Sequence, residues 1–157
     1  MASNILTVCD ALVTAIDAAW TTKTADSGSV SREYIAPLST SELSSLTGRK
    51  VYVIPGDYVN NPATRKEDQW EYRIGVLVVE RYASAGLPSN SWMDTRVDFV
   101  ENIVANACDY SHSLLSVSNR EVWTESLETQ TYNLDLLNES NLFWSETSLV
   151  LREIIAV

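Results

Sequence analysis

The feature that most constrains the fold is a long alternating run from Trp70 to Arg81. Every second position of it is aromatic or aliphatic: Trp70, Tyr72, Ile74, Val76 and Val78. The positions between them begin with the charged Glu71 and Arg73 and later become apolar. A period of two predicts a β-strand with one buried face. The run is longer than the roughly five or six residues typical of strands, and long strands often extend past the body of a domain to pair with another segment.

Helical and strand patterns on both sides of this run predict an α+β domain. The spacing of apolar residues predicts one amphipathic helix from Ile5 to Trp20, with Ser3 as its N-cap, and another from Ser91 to Ala107. Further extended segments are predicted at Val30–Pro37, Val51–Ile54, Leu114–Val117, Val122–Leu127 and Leu142–Ile155, with a short turn or helix at Tyr132–Leu137. We expect one domain over residues 1–157, a mainly antiparallel β-sheet with the two amphipathic helices packed on one face.

A long connection precedes the alternating run. Pro55 and Gly56 are expected to end a strand, so residues 56–69 are predicted to form a loop. The loop holds the polar and basic side chains Asn60, Asn61, Arg65 and Lys66. A connection of this length without regular structure is usually functional or mobile. It would be either a flexible hairpin or a segment that becomes ordered on contact with a neighbouring subunit.

The charge of the chain is strongly acidic and unevenly distributed. Eleven basic and 21 acidic side chains give a net charge of −10, and residues 101–157 hold Arg120 and Arg152 as their only basic side chains. Nucleic-acid binding depends on basic side chains that neutralise phosphates, so specific binding of DNA or RNA is not expected. An acidic surface either keeps the protein soluble or lets a polyanion pass without sticking.

No membrane association is expected from the sequence. No apolar run reaches the ~18 residues of a membrane span, and the first residues lack the pattern of a secretory leader. Anionic membrane surfaces are disfavoured for the same reason as nucleic acids.

Residue patterns that carry catalytic chemistry are scarce. The five glycines are far apart, which excludes a phosphate-binding loop, and no cofactor is expected. Cys9 and Cys108 each lie on an apolar helix stripe and are expected to be inert core thiols. Asp94, Asp98 and Glu101 form a weak candidate metal site, because spacings of four and three place them on one helix face. The alternative for these three carboxylates is a solvated helix face.

Aromatic residues are numerous for a chain of this size. Five tryptophans and seven tyrosines are present, and both residue types are enriched at the centres of protein interfaces. Trp70, Trp123 and Trp144 are therefore candidate subunit contacts, together with Asn60, Asn61, Arg65 and Lys66 of the loop. Packing in the core is the alternative for the aromatic residues.

The order of several short motifs resembles the tail-terminator or neck proteins of tailed bacteriophages. The motifs are Val30-Ser-Arg-Glu-Tyr-Ile-Ala-Pro37, Leu43-Ser-Ser-Leu-Thr-Gly48, Val51-Tyr-Val-Ile-Pro55, Tyr72-Arg-Ile-Gly-Val-Leu-Val-Val-Glu-Arg81, Asp98-Phe-Val-Glu101 and Asn141-Leu-Phe-Trp-Ser145. The resemblance spans about residues 5 to 156 and rests on turn, strand and helix signals.

This resemblance implies a structural protein and not an enzyme. It implies a homo-oligomer, typically a hexameric ring, at the end of the tail tube that faces the capsid. Its partners would be the tail tube protein and the head-side connector or neck proteins, and DNA would pass through without specific binding. The protein would be made in the host bacterial cytoplasm and located in the neck of the virion.

Other functional classes remain open from the residues themselves. A metal-dependent phosphoesterase or nuclease would use the Asp94, Asp98 and Glu101 carboxylates. Another neck or minor capsid protein, or a binding module that forms no ring, would also fit the α+β pattern.

Overall fold

Five helices, one π-helical turn and six strands make up the fold in a computed structural model that describes residues 4–23, 28–35 and 39–156. The helices are α1 (Asn4–Lys23), α2 (Thr40–Ser44), α3 (Asn90–Phe99), α4 (Ala105–Cys108) and α5 (Leu134–Ser140), with the π-helical turn at Val100–Val104. The strands are β1 (Gly28–Arg32), β2 (Arg49–Thr64), β3 (Glu67–Arg81), β4 (Leu115–Val117), β5 (Arg120–Gln130) and β6 (Leu142–Ala156).

The strands form a six-stranded sheet in the order β1-β2-β3-β6-β5-β4. All neighbouring strands are antiparallel except β1 and β2, which run parallel. The predicted α+β class with a mainly antiparallel sheet is therefore confirmed. The central strand β3 pairs with β6 without a register break from Glu67 to Arg81, which accounts for the length of its alternating pattern.

The two amphipathic helices cover one face of the sheet, which we call the helix face. Residues of α1 and of the α3–α4 segment share one hydrophobic core with the even-numbered positions of β3, such as Tyr72, Ile74 and Val76. A second, smaller core lies on the opposite face, where Leu77, Val79, Leu142 and Trp144 meet apolar side chains of α2 and α5. The short helices α2 and α5 therefore cover one end of the opposite face.

Helix α1 is long and apolar enough to cross a membrane by length and composition alone. In this fold its apolar stripe faces the sheet: its side chains in the main core that have no exposed surface are Val8, Cys9, Leu12 and Ile16. Core helices of soluble proteins pass the same test of length and composition. The Ser3 N-cap predicted for this helix lies outside the described residues.

The predicted loop at residues 56–69 is wrong. Strand β2 continues through Pro55 and Gly56 to Thr64, and β3 begins at Glu67 after a tight turn at Arg65 and Lys66. Pro55 still pairs with Ile74, and a register break between Pro55 and Tyr58 accommodates Gly56 and Asp57 within the strand. Gly56 is required there, because a Cβ atom would lie 2.6 Å from the carbonyl oxygen of Arg73. We call residues 57–72 the arm.

The second amphipathic helix differs in two details from its prediction. It begins at Asn90 and not at Ser91, and its N-cap is Ser89, whose side chain accepts a hydrogen bond of 3.2 Å from the Trp92 amide. Between Val100 and Val104 the helix widens into a π-helical turn, which no sequence signal had indicated. The buried side chains of Val100, Ile103 and Val104 hold this turn against the core.

Candidate assembly surface

Three aromatic rings on the helix face connect the arm to the core. Tyr58 stacks on Trp70 with ring centroids 5.3 Å apart, and Trp70 stacks on Tyr72 at 6.4 Å. Tyr72 is fully buried, whereas Tyr58 is 55% exposed. Stacked aromatic pairs add stability beyond the area that they bury. The rings therefore continue the packing of the core onto the base of the arm.

A buried ionic cluster supports this stack from the neighbouring strand. The Glu153 carboxylate is 1% exposed and accepts hydrogen bonds from the Tyr72 hydroxyl and from Arg120 Nη1, the latter at 2.5 Å. Burial, followed by the Glu153 hydrogen bond and charge, raises the pKa of Tyr72 far above its ordinary value, so the phenol remains a donor. The cluster thus connects Tyr72, at the base of the arm, to Glu153 of β6 and Arg120 at the beginning of β5.

Replacing Glu153 by glutamine is expected to lower the free energy of unfolding by about 3 kcal/mol, because Arg120 loses its buried counter-charge. For a chain of this size that corresponds to a fall in melting temperature of about 6–12 °C in a thermal scan. Asp57→Asn is the matched control, since its 3.0 Å ion pair with Arg73 is exposed on both sides and should contribute under about 1 kcal/mol. Equal losses in the two variants would contradict this role for Glu153.

The predicted contacts of residues 56–69 lie on the exposed arm. Asn60 is paired with Trp70 across the hairpin, and Asn61 with Gln69. Arg65 and Lys66 occupy the turn and are exposed. Neither of these two cations has an ion pair with any residue that the structure describes.

The three predicted tryptophan contacts have different surroundings. Trp70 is half-buried within the aromatic stack. Trp123 is half-buried on the opposite face, where it lines a shallow depression with Leu114 and Ile154, each 52% exposed. Trp144 is buried in the second core, and its indole N–H donates to Glu146 at 2.8 Å. The interface prediction for Trp144 is therefore wrong, because the folded chain already covers the side chain.

The middle of the face opposite the helix face is open and acidic. The small residues Gly75, Ser126 and Ser148 line a shallow trough there. Charged side chains surround it: Asp57, Glu71, Arg73, Glu125, Glu128, Glu146 and Arg152. Both arginines are paired, Arg73 with Asp57 at 3.0 Å and Arg152 with Glu71 at 2.9 Å. We call this surface the acidic face.

The predicted metal site does not form. Asp94, Asp98 and Glu101 are exposed, and Asp98 instead accepts a hydrogen bond from the Asn102 side chain. Glu101 lies in the π-helical turn, where the angle per residue is smaller than in an α-helix, so the predicted alignment is lost. Within residues 4–23, 28–35 and 39–156, no three His, Cys, Asp or Glu side chains lie close enough to hold a metal ion.

Both cysteines are buried, as predicted from the helix stripes. Burial raises the pKa of Cys9 to about 12, against a smaller opposing effect of Arg32, and burial alone raises that of Cys108 to about 12. Because the thiolate is the reactive form, the native protein at pH 8 is expected to resist a thiol reagent and to label at both sites only after unfolding. Asp17→Cys, at an exposed position of α1, is the positive control. Rapid labelling of the native wild type would contradict the inert core role.

Comparisons with known proteins inform the fold alone. No protein-family model matches the chain, and no curated protein matches it. One similar solved structure, whose name describes no activity, aligns with 98% of this chain and 96% of its own, at a TM-score of 0.52 and 12% identity. At that identity the similarity extends to the fold and not to the function.

Proposed function

We propose that the protein is a structural virion-assembly protein of a tailed bacteriophage. In this role it forms a ring at the head-proximal end of the tail tube, ends the tail and joins it to the head connector. The observation that supports this proposal best is the acidic face, a broad sheet surface that the two long helices leave uncovered. The resemblance of the ordered strand and turn motifs supports the same class of protein.

The acidic face suits the wall of a channel through which DNA passes. Its seven charged side chains comprise five acids and two arginines, and the arginines are already neutralised by Asp57 and Glu71. Proteins bind DNA through cationic side chains that displace its counterions. A wall without free cations therefore offers DNA no binding site. Glu128 and Glu146 lie beside the trough, have no ion pair with any described residue, and add negative charge there.

The phosphoesterase alternative receives less support. It required the carboxylates of Asp94, Asp98 and Glu101 to converge on one metal ion, and these side chains are separately solvated or bonded to a neighbour. Addition of Mg²⁺ is expected to leave the melting temperature unchanged. A clear rise would reopen this alternative.

Native mass spectrometry over a concentration series, with electron microscopy of the same sample, tests the proposed ring. The monomer mass is 17.5 kDa, so a hexamer would have a mass of about 105 kDa and a closed cyclic shape. Rings with a central hole are expected. A protein that stays monomeric at every concentration, and also after addition of tail tubes, would overturn the proposal.

The lining of the channel has its own test on the assembled ring. Glu128→Lys with Ser148→Lys places two cations in the trough and is expected to make the rings retain DNA at low salt. Asn138→Lys with Glu139→Lys adds the same charge on α5, away from the trough, and should leave passage unaffected. Equal retention by both variants would show that the acidic face does not line the channel.

A further inference from the structure

We infer that the ring closes by strand pairing, in which the open edge of β2 in one copy joins the open edge of β5 in the next copy. This inference rests on the proposed function and identifies the surface that one copy presents to another. It is carried by the unpaired edges of the sheet and by the charge at the end of the arm.

The first open edge is the outer side of β2. Strand β1 pairs with β2 only from Arg49 to Val53. From Ile54 to Thr64 no other described strand lies on that side, so the backbone N–H and C=O groups that point outward have no ladder partner. Strand edges are usually protected by lysine, proline or a bulge. Between the bulge at Pro55–Tyr58 and Pro62, residues 58–61 contain no lysine, arginine or proline, so this is the stretch of the edge that stays open to pairing.

The second open edge is the outer side of β5. Strand β4 pairs with β5 only from Arg120 to Val122, and the Thr124 amide donates to the Tyr110 carbonyl at 3.3 Å. Residues 125–130 have β6 on one side and no described strand on the other. Apart from the half-buried Leu127, these residues are exposed.

The strand directions make these two edges compatible. The strands β2, β3, β6 and β5 alternate in direction, so a second copy placed side by side brings its β2 antiparallel to β5 of the first. Antiparallel pairing is the more stable ladder. Because the two edges belong to different strands, the contact is head-to-tail, and such contacts produce closed rings when the rotation per copy closes.

Charge supports the same arrangement. Arg65 and Lys66 lie exposed at the end of the arm without an ion pair to any described residue. Strand β5 presents the exposed carboxylates of Glu121 and Glu128, together with Glu125, which already pairs with Arg152 at 3.1 Å. Pairing of the arm with β5 places the cations of one copy near the acids of the next.

The two edges lie at different heights within one copy. Ile54, Gly75, Ser148 and Glu128 are successive partners across the sheet, from β2 through β3 and β6 to β5. The free part of β5 therefore lies beside the start of the arm and not beside its end. Pairing along the arm therefore requires a shift along the strands. Sheets that close on themselves need such a stagger, which follows from the tilt of their strands.

Engineered disulfides test the strand pairing. Asn61→Cys, whose partner Gln69 lies on the acidic-face side of the sheet, is combined in turn with Ser126→Cys, Glu128→Cys or Gln130→Cys, three positions on the same face of β5, and the native cysteines are buried. Mild oxidation is expected to give intermolecular bonds in at least one combination and in none of the four single variants, because a disulfide needs its Cβ atoms about 3.5–4.5 Å apart. Asn61→Cys with Asp17→Cys, a pair that includes the exposed face of α1, is the control.

Charge reversal tests the end of the arm without touching the core. Arg65→Glu with Lys66→Glu is expected to reduce the ring population about tenfold at equal concentration, since it places acids against acids. The conservative variant Arg65→Lys with Lys66→Arg should assemble like the wild type. Both changes lie in an exposed turn, so an unchanged melting temperature verifies the fold.

The results separate this inference from the proposed function. Rings together with β2–β5 disulfides support both. Rings that form disulfides only in the control pair overturn the strand pairing and leave the ring function in place. Disulfide-linked chains that never close support the strand pairing and contradict the ring, and the absence of both rings and disulfides overturns both.

Discussion

A variant in which Pro62–Asp68 is replaced by Asn-Gly is expected to remain folded and to form no ring. The replacement joins Asn61 and Gln69, which already face each other across the hairpin. Asn-Gly is the preferred sequence for a two-residue hairpin turn. The variant loses the exposed turn with Arg65 and Lys66, whereas the Tyr58–Trp70–Tyr72 stack remains.

Melting curves and native mass spectrometry on the same preparation distinguish folding from assembly in this variant. The matched control replaces Ser118-Asn119 by Asn-Gly in the β4–β5 turn, where both residues already have positive φ values of 48° and 67°. That control introduces the same turn chemistry away from the arm and should form rings. Rings of normal size from the shortened arm would contradict the role of the arm in assembly.

Replacing Glu80 by alanine is expected to lower the free energy of unfolding by about 4 kcal/mol, because two buried cations lose their shared counter-charge. Its carboxylate binds Arg49 at 3.0 Å and Arg96 through two bonds of 2.9 and 2.7 Å. The Arg49 side chain is only 3% exposed and lies over the Phe99 ring at 4.3 Å. The cluster joins β2 and β3 to α3.

A fall in melting temperature of about 8–16 °C would accompany this loss. Asp10→Ala is the control, since its 3.3 Å ion pair with Arg32 is 60% exposed on the carboxylate side and should contribute under about 1 kcal/mol. If both substitutions cost the same, the Glu80 cluster is not a major source of stability. A double variant with Arg49→Met and Glu80→Leu should recover part of the loss, because it removes buried charge of both signs.

The same cluster predicts a dependence of stability on acid pH. Burial raises the pKa of Glu80, but the hydrogen bonds and charges of Arg96 and Arg49 outweigh burial and hold it below 4.5. The stabilisation is therefore complete above about pH 4.5 and is lost as the pH falls through the lower pKa of the folded state. Glu80→Gln should have a flatter stability curve over that acid range. Parallel curves for the two proteins would contradict this assignment.

Much of the fold follows from local patterns. The alternation from Trp70 to Arg81 predicted β3, and the spacing of apolar residues from Ile5 to Trp20 predicted α1, because each pattern is long and its period is unambiguous. The error at residues 56–69 came from reading Pro55 and Gly56 as the end of a strand. Proline is tolerated at an open strand edge and at a bulge, and both conditions depend on which strands are neighbours.

Less of the candidate site was predictable. Polar residues of the arm were identified, but Glu153 and Glu80 were not, because an acid in a strand gives no sign that a distant arginine will neutralise it. Trp144 was assigned to an interface on its residue type, and the short helices α2 and α5 instead enclose it in a second core. The carboxylates Asp94, Asp98 and Glu101 had suitable spacing for an α-helix, but the π-helical turn changed their relative direction.

The sequence by itself determined the two long helices, the strand β3 and the acidic surplus, since these depend on periodicity and composition within a short stretch of chain. Only the tertiary structure decided the strand order β1-β2-β3-β6-β5-β4 and the pairing of Arg120 with Glu153 and of Arg49 with Glu80. It also decided which strand edges stay open. The physical reason is that burial, ion pairing and edge exposure depend on which residues are close in space. Such residues are often far apart along the chain, as Arg49 and Glu80 are.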